Sequence, residues 1–332
     1  MKISIIGAGS FGTAMAIVAE RCGNEVILWA HDPRVAEAMR EGHNAFYIPS
    51  VKLPPGIKPT NDLAQAAAFS DVWFMVVPSH HYRGVLTELA AFAPPSVRVV
   101  SGTKGIENET LSRMSEITGE VLGGKLSAFA TLSGPTFALE TARGDPTAAV
   151  IGSEDDQFAR DLQQAMSCGT FRLYNTRDVV GVELAGSLKN VIAIAAGVLE
   201  GLGLGSNTNA ALVTRGLHEM TKLGIALGGK LETFAGLAGM GDLVLTCTGS
   251  LSRNRSVGVA LGSGKKLAEI LSETRLVAEG VKTARSAKEL ADQHQIDMPI
   301  IGEMHRVLYE NEPPRTAIQR LMSRSLKAEA AR

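Results

Sequence analysis

Short apolar runs alternate with stretches whose apolar positions recur every three or four residues, and this alternation continues to about residue 177. The first run, Ile3-Ser4-Ile5-Ile6, is followed by a glycine turn and a helical stretch over 13–19. Later strand-like runs lie at 25–29, 71–77, 97–101, 128–133, 148–152 and 171–174. Strands spaced by helices pack as a mainly parallel sheet covered on both faces. Beyond residue 178 the pattern becomes long helical periodicity, first over 179–201 and then over 209–227. The chain therefore reads as an α/β N-terminal, Rossmann-like doubly wound domain (1–177) and an all-α C-terminal domain (178–332). Segment 41–59 has no strong pattern, the glycine-rich segments 201–205 and 236–241 read as loops that allow close backbone approach, and the tail 327–332 is expected to fray.

Composition narrows the function. The 332 residues leave room for two cored domains. Lysine and arginine number 33 against 34 acidic residues, so no global field attracts nucleic acid or an anionic membrane, and any anion must be caught locally. Cys22, Cys168 and Cys247 are far apart and odd in number, which argues against disulfides and zinc and for a reduced, cytoplasmic setting. The histidines show no HxxxH spacing, and no Ser-His-Asp set stands out, so neither a metal centre nor acyl transfer is indicated. The apolar start after Lys2 superficially resembles a signal peptide, but the glycines of a nucleotide turn fall inside it. The apolar run 191–199 ends at Glu200, short of the roughly 20 residues that cross a bilayer, so no transmembrane segment is expected.

The most specific local signal is Gly7-Ala8-Gly9-Ser10-Phe11-Gly12 between a strand and a helix. Gly7 and Gly9 allow a tight turn and close approach to a pyrophosphate, Gly12 allows helix-to-strand packing, and the helix N-terminus offers unpaired amides. Asp32 lies 20 residues beyond Gly12, where an acid meets the ribose of NAD; Asp32-Pro33 equally reads as a helix start, and His31 and Arg34 are placed to host a 2′-phosphate. The turns at Pro78-Ser79, 102–105 and 134–136 follow strands and fall on one rim of the sheet, where doubly wound folds bind ligands.

Lys189 is the most suggestive ionisable side chain. Its helical neighbours Ala185, Gly186, Ile192 and Ala193 carry no charge, so it is either a desolvated proton-exchanging amine or a lysine whose stem covers apolar surface. Ser252-Arg253-Asn254 precedes a helical run and is either an ordinary cap or an anion site with a guanidinium fork. Asp242 is a helix cap or a carboxylate aimed into a pocket, with capping the simpler reading. Lys104 is a solvated loop lysine or a rim cation. Gly134-Pro135-Thr136 places proline at a first helical position and leaves amides and a hydroxyl as donors.

Taken together, GAGSFG (7–12), GTKG (102–105), SGPTFA (133–138), ELAGSLKN (183–190), GLAGMGDL (236–243) and SRN (252–254) closely resemble the bacterial NAD(P)-dependent glycerol-3-phosphate dehydrogenases, nearly end to end. The resemblance implies NADH- or NADPH-dependent interconversion of dihydroxyacetone phosphate and sn-glycerol 3-phosphate, a role in phospholipid synthesis, and a cytoplasmic homodimer. It marks Lys189 as the catalytic proton acceptor, with Lys104, Gly134, Thr136, Asp242, Ser252, Arg253 and Asn254 lining the substrate. Beside Gly7, Gly9 and Gly12, the cofactor positions it implies are Ser10, Phe11, His31, Tyr47, Lys104, Ala138, Arg253, Val277 and Glu279. Phe11 stands where relatives often carry tryptophan. Two rival readings are a similarly built dehydrogenase of a β-hydroxy or sugar acid, and a non-catalytic dinucleotide sensor that needs no proton donor.

Overall fold

The computed structural model describes residues 1–273, 278–326 and 328–329. Val277, and residues 327 and 330–332 of the tail expected to fray, lie outside them. Eight strands form one sheet: β1 (Lys2–Ile6), β2 (Glu25–Trp29), β3 (Ile57–Thr60), β4 (Val72–Met75), β5 (Val97–Ser101), β6 (Leu126–Ser133), β7 (Thr147–Gly152) and β8 (Phe171–Thr176). Their order is β3-β2-β1-β4-β5-β6-β7-β8, parallel except where β6 meets β7. The first six strands have the order of a dinucleotide-binding sheet, which opens a crevice between β1 and β4 at their carboxyl ends.

Period-two alternation separates the two faces of the sheet. Ile3, Ile5, Val72 and Phe74 pack with α1 (Ser10–Arg21) and α2 (Pro33–Arg40). Ile6, Trp73 and Met75 pack with α3 (Leu63–Phe69), α4 (Ser79–Ala90) and α5 (Met114–Leu122). The sequence pattern passes over β3 because Ile57-Lys58-Pro59-Thr60 is short and contains proline; at the sheet edge the missing N–H is tolerated.

Two expectations are corrected in this half. Cys22 and Cys168 form a disulfide with their Cα atoms 5.4 Å apart. The end of α1 and the turn before β8 meet there, beside α7 (Asp156–Met166), and Asn24 donates to both Ala19 O and Ala165 O at that seam. A separation of 146 residues hid this pairing in the sequence. Pro135 is not at a first helical position, because α6 (Ala138–Arg143) begins three residues later with Phe137 at its cap.

The helical half is built around α8 (Val179–Gly201). It is apolar on every side, as a helix enclosed by others must be. It is also the one helix among the described residues long and apolar enough to cross a membrane, and 94% of its most apolar stretch is buried inside the protein. Around it stand α9 (Ser206–Ala226), α10 (Leu231–Ala235), a π-helical turn (Leu237–Gly241), α11 (Asp242–Thr248), α12 (Arg253–Gly262), α13 (Leu267–Glu273), α14 (Glu279–Gln293), α15 (Pro299–Tyr309) and α16 (Pro314–Met322).

Glycines set how α12 meets α8. A Cβ on Gly197 would stand 2.0 Å from Arg255 O, and one on Gly258 would stand 2.0 Å from Ile194 O. Gly201 and Gly262 repeat this one turn further on, at 2.2 Å from Val259 O and 2.4 Å from Val198 O. The two backbones touch with no side chain between them, running parallel, so the start of α12 lies beside Asn190.

Candidate active site

The nucleotide turn has the geometry its glycines require. Gly7 has φ +117°, and a Cβ there would meet Val76 O at 2.9 Å; one on Gly12 would lie 1.8 Å from Gly7 O. Gly9 differs, because a Cβ there would meet nothing within 4 Å. The protein's own packing therefore does not need glycine at that position, and the space above the turn is left for another molecule. Gly9 caps α1 with no side-chain hydrogen bond, so the first-turn amides face the same space with no helical acceptor. These features fit a dinucleotide pyrophosphate.

Lys189, on α8, is 5% exposed and meets a carboxylate from a different element. Its Nζ forms an ion pair with Asp242 Oδ1 and donates to Thr246 Oγ1 at 2.9 Å. Lys104, on the loop after β5, donates to the other oxygen, Asp242 Oδ2, at 2.7 Å, with the Ser133 hydroxyl 3.4 Å from that oxygen. Burial lowers the Lys189 pKa to about 8, with Lys104 adding to the drop and Asp242 opposing it. Burial opposes the charge on Asp242, but Lys104 and Lys189 outweigh it and hold that carboxyl below its usual range. Asp242 is thus not a cap: it occupies the first turn of α11 and turns its side chain onto two ammonium groups. An ammonium has three N–H donors; Asp242 and Thr246 take two from Lys189 and leave one for a substrate oxygen.

Ser252 N-caps α12, accepting from Arg255 N at 3.2 Å. Arg253 reaches across to the nucleotide turn and donates to Ser10 Oγ at 2.6 Å, and Ser10 in turn donates to Tyr47 O at 3.0 Å. Asn254 donates to Asn190 Oδ1 at 2.9 Å and accepts from Gly280 N at 2.9 Å, tying α12 to α8 and α14. Glu279 accepts from Ser79 N (3.0 Å) and Ser79 Oγ (2.5 Å). Lys104 Nζ lies 5.8 Å from the centre of the Phe11 ring. Gly134 has φ +143° and its carbonyl accepts from Thr136 Oγ1 at 3.1 Å, while Pro135 faces the Gly241 turn.

Lys189, Lys104 and Asp242 therefore form one cluster, and Arg253, Ser10 and Tyr47 a second. His31 is exposed at the end of β2, with its ring edge-on to Trp29 at 5.9 Å. Asp32 accepts from Arg34 N at 2.9 Å, which makes it the N-cap of α2. Ala138 opens α6, and Val277 is outside the described residues. Sequence reasoning missed Thr246, Ser133, Asn190 and Ser79. Two of them left a trace: Ser79 lies in a turn on the ligand rim, and Thr246 stands four residues after Asp242 and so on the same helix face. Cys247 lies next to this cluster, and burial pushes its thiol up to about 12.

A dinucleotide-binding sheet joined to a helical body that carries a buried lysine, linked through Asp242 to a rim lysine beside the nucleotide turn, defines the two-domain nicotinamide-dependent oxidoreductases. The family model for the NAD-dependent glycerol-3-phosphate dehydrogenase N-terminus matches residues 2–159, and that for the C-terminus matches 178–319. The chain belongs to the NAD-dependent glycerol-3-phosphate dehydrogenase family. It is 52% identical over 330 residues to the glycerol-3-phosphate dehydrogenase [NAD(P)+] of Geobacter sp. (strain M21), covering 99% of this chain and 98% of the relative. Among solved structures, the glycerol-3-phosphate dehydrogenase of Coxiella burnetii superposes with a TM-score of 0.93 at 40% identity, covering 97% of this chain and 99% of that one. The yeast glycerol-3-phosphate dehydrogenase superposes at 0.81 with 26% identity, covering 96% and 98%.

Proposed function

We propose that this chain reduces dihydroxyacetone phosphate to sn-glycerol 3-phosphate reversibly, with Lys189 as the proton donor. The observation that carries the reading is the buried Lys189–Asp242–Lys104 cluster beside a nucleotide turn that Arg253 already touches. NADH or NADPH bound on Gly7, Gly9 and Gly12 supplies the hydride that the carbonyl carbon accepts. Lys189 gives its free proton to the carbonyl oxygen as the C=O pair becomes an O–H bond, and is left as a neutral amine that water reprotonates. With a pKa of about 8 it is mostly charged at neutral pH, close enough to neutrality to exchange protons in both directions. In the reverse direction the neutral amine takes the proton from the alcohol.

Asp242 and Thr246 hold Lys189 in place, and Lys104 completes the ion cluster next to the reacting oxygen. Arg253 and the Ser252-Asn254 turn take the substrate phosphate, a handle whose binding energy positions the three-carbon body. Thr136 and the Gly134 backbone close the opposite wall. Ser10, Phe11, His31, Tyr47, Lys104, Ala138, Arg253, Val277 and Glu279 contribute to the cofactor side. The domain boundary falls at 177/178, with most of the cofactor positions on the sheet domain and the substrate lined from both sides, by Lys104, Gly134 and Thr136 on the sheet domain and Lys189, Asp242 and Ser252-Asn254 on the helical one.

The product serves as the backbone of glycerophospholipids, and the enzyme works as a homodimer, the commonest arrangement of soluble oligomers. We place it in the cytoplasm; the interior position of its apolar helix speaks against a membrane span. The Cys22–Cys168 bond weighs against this, since such bonds persist in oxidising compartments; a thiol count on protein from freshly lysed cells decides. The activity test is loss of reduced-nicotinamide absorbance with dihydroxyacetone phosphate, run beside β-keto acids and with NADH and NADPH in parallel. Turnover with a keto acid and none with the phosphate would reject the reading.

A further inference from the structure

Glu183 is a buried acid with no part in the reaction described above. It stands in the second turn of α8, on the same helix as Lys189, and is 7% exposed. Its carboxylate reaches out of the helical domain. Oε1 accepts from Ser115 N at 2.8 Å, and Oε2 accepts from Ser115 Oγ at 2.6 Å and from Arg113 Nη1 at 2.8 Å. Arg113 is the N-cap of α5 and Ser115 lies in its first turn. The acid therefore grips the far end of the loop that leaves β5 and carries Lys104.

The near end of the same loop is fitted to the same helix. Ile106, close after Lys104, joins the apolar core around α8. Gly186 follows Glu183 by three residues and so shares its helix face; a Cβ there would stand 2.8 Å from Ser133 Oγ and 3.7 Å from Lys104 Cγ. Lys104 Nζ then reaches Asp242 Oδ2 at 2.7 Å. We propose that Glu183 is a positioning residue, holding the Lys104 loop on α8 so that Lys104 stays on Asp242 next to Lys189. The inference rests on the dehydrogenase reading above and adds a residue that acts on the reaction only through Lys104. Three ionisable groups face Lys189: Asp242 supports its charge, Lys104 opposes it, and the Cys247 thiol, pushed up to about 12, stays neutral. When the loop is released, Lys104 leaves, Asp242 serves Lys189 alone, and Lys189 keeps its proton to higher pH.

The experiment is the pH profile of kcat/KM for dihydroxyacetone phosphate from about pH 6 to about 10 on the full-length protein. Glu183→Gln keeps the shape but sets an amide NH2 against the Arg113 guanidinium. It is expected to lower kcat/KM about tenfold at pH 7 and to move the alkaline limb up by about half to one pH unit. Ser115→Ala removes one hydrogen bond and should move both readings in the same sense by less. Lys104→Ala should raise the limb as well, and adding Glu183→Gln to it should cost less than about twofold more, because the contact it protects is already gone. A limb that stays at the wild-type position in Glu183→Gln, or losses that multiply in the double variant, overturns the proposal and makes Glu183 a structural anchor. Should Glu183→Gln fail to fold, Ser115→Ala alone and combined with Lys104→Ala decides on the same two readings. A wild-type chain with no turnover of dihydroxyacetone phosphate overturns the dehydrogenase reading itself, and this inference with it.

Discussion

Replacing Asp242 by asparagine removes one negative charge and almost no volume from the site, so its effect falls mainly on the protonation of Lys189. Two unit charges about 4 Å apart interact by about 4 kcal/mol at an effective dielectric near 20. The asparagine carbonyl still accepts a hydrogen bond, so about half of that is lost, which at about 1.4 kcal/mol per pH unit moves the lysine down by about 1.5. Its pKa then falls from about 8 to about 6.5. At pH 7.5 the protonated share drops from about three quarters to about one tenth, and looser positioning adds to the loss. The assay is kcat/KM for dihydroxyacetone phosphate across pH 5.5 to 9.5, a quantity that reports the free enzyme's pKa. The alkaline limb should move from about 8 to about 6.5, with kcat falling roughly 10- to 100-fold at pH 7.5 and KM changing far less. The acid limb of glycerol 3-phosphate oxidation must move with it, because the same proton is given and taken. A variant whose limb stays near that of the wild type would refute the claim that Asp242 sets the charge of this lysine, and unchanged turnover would also remove its positioning role.

Arg253→Ala should lower kcat/KM by roughly 2 to 5 kcal/mol, the scale of a lost hydrogen-bonded charge partner, and normal steady-state constants would reject its phosphate role. Gly258→Ala puts a methyl group 2.0 Å from Ile194 O; α12 must lift off α8, which should destabilise the protein by about 1 to 3 kcal/mol and depress activity as well, read by denaturant unfolding and turnover. Glu219 accepts from the amides of Ile300 and Ile301 at the start of α15, and burial raises its pKa to about 7. A folded-state pKa above the unfolded value means stability present at low pH and lost as pH climbs from about 4.5 to about 7; Glu219→Gln should lack that slope, so the wild-type minus variant difference in Tm should fall across this window, and an identical slope in both proteins would contradict it.

What could be read from the sequence followed from local rules, and what could not came from distant parts of the chain meeting. The nucleotide turn, seven of the eight strands and the extent of α8 show in spacing alone, because a strand, a glycine turn and a wholly enclosed helix each have a short-range pattern. The strand β3 did not, since an edge strand can carry proline and lysine. Lys189 stood out because nothing on its own helix neutralises it, yet its counter-ion comes from 53 residues away. For Asp242 the local grammar of helix starts favoured a cap, and tertiary contact with two lysines prevailed. The disulfide escaped because cysteine spacing says nothing about which loops a sheet brings together.

The charge balance of the site explains why it is spread over so many elements. Lys104, Lys189 and Arg253 bring three positive groups to the mouth of the crevice, and Asp242 is the acid that pairs with both lysines. Charges of one sign cannot be crowded onto one helix face without mutual repulsion, so the sheet loop, α8 and α12 each present one. The glycine contact between α8 and α12 holds the start of α12 against α8, from where Arg253 reaches the nucleotide turn. This leaves an excess of positive charge over negative, which suits a dianionic phosphate. It also weakens the hold on the Lys189 proton: an amine surrounded by compensating acids would stay charged and could not serve as a base, whereas one that is buried, has Lys104 beside it and shares a single carboxylate releases its proton near neutral pH.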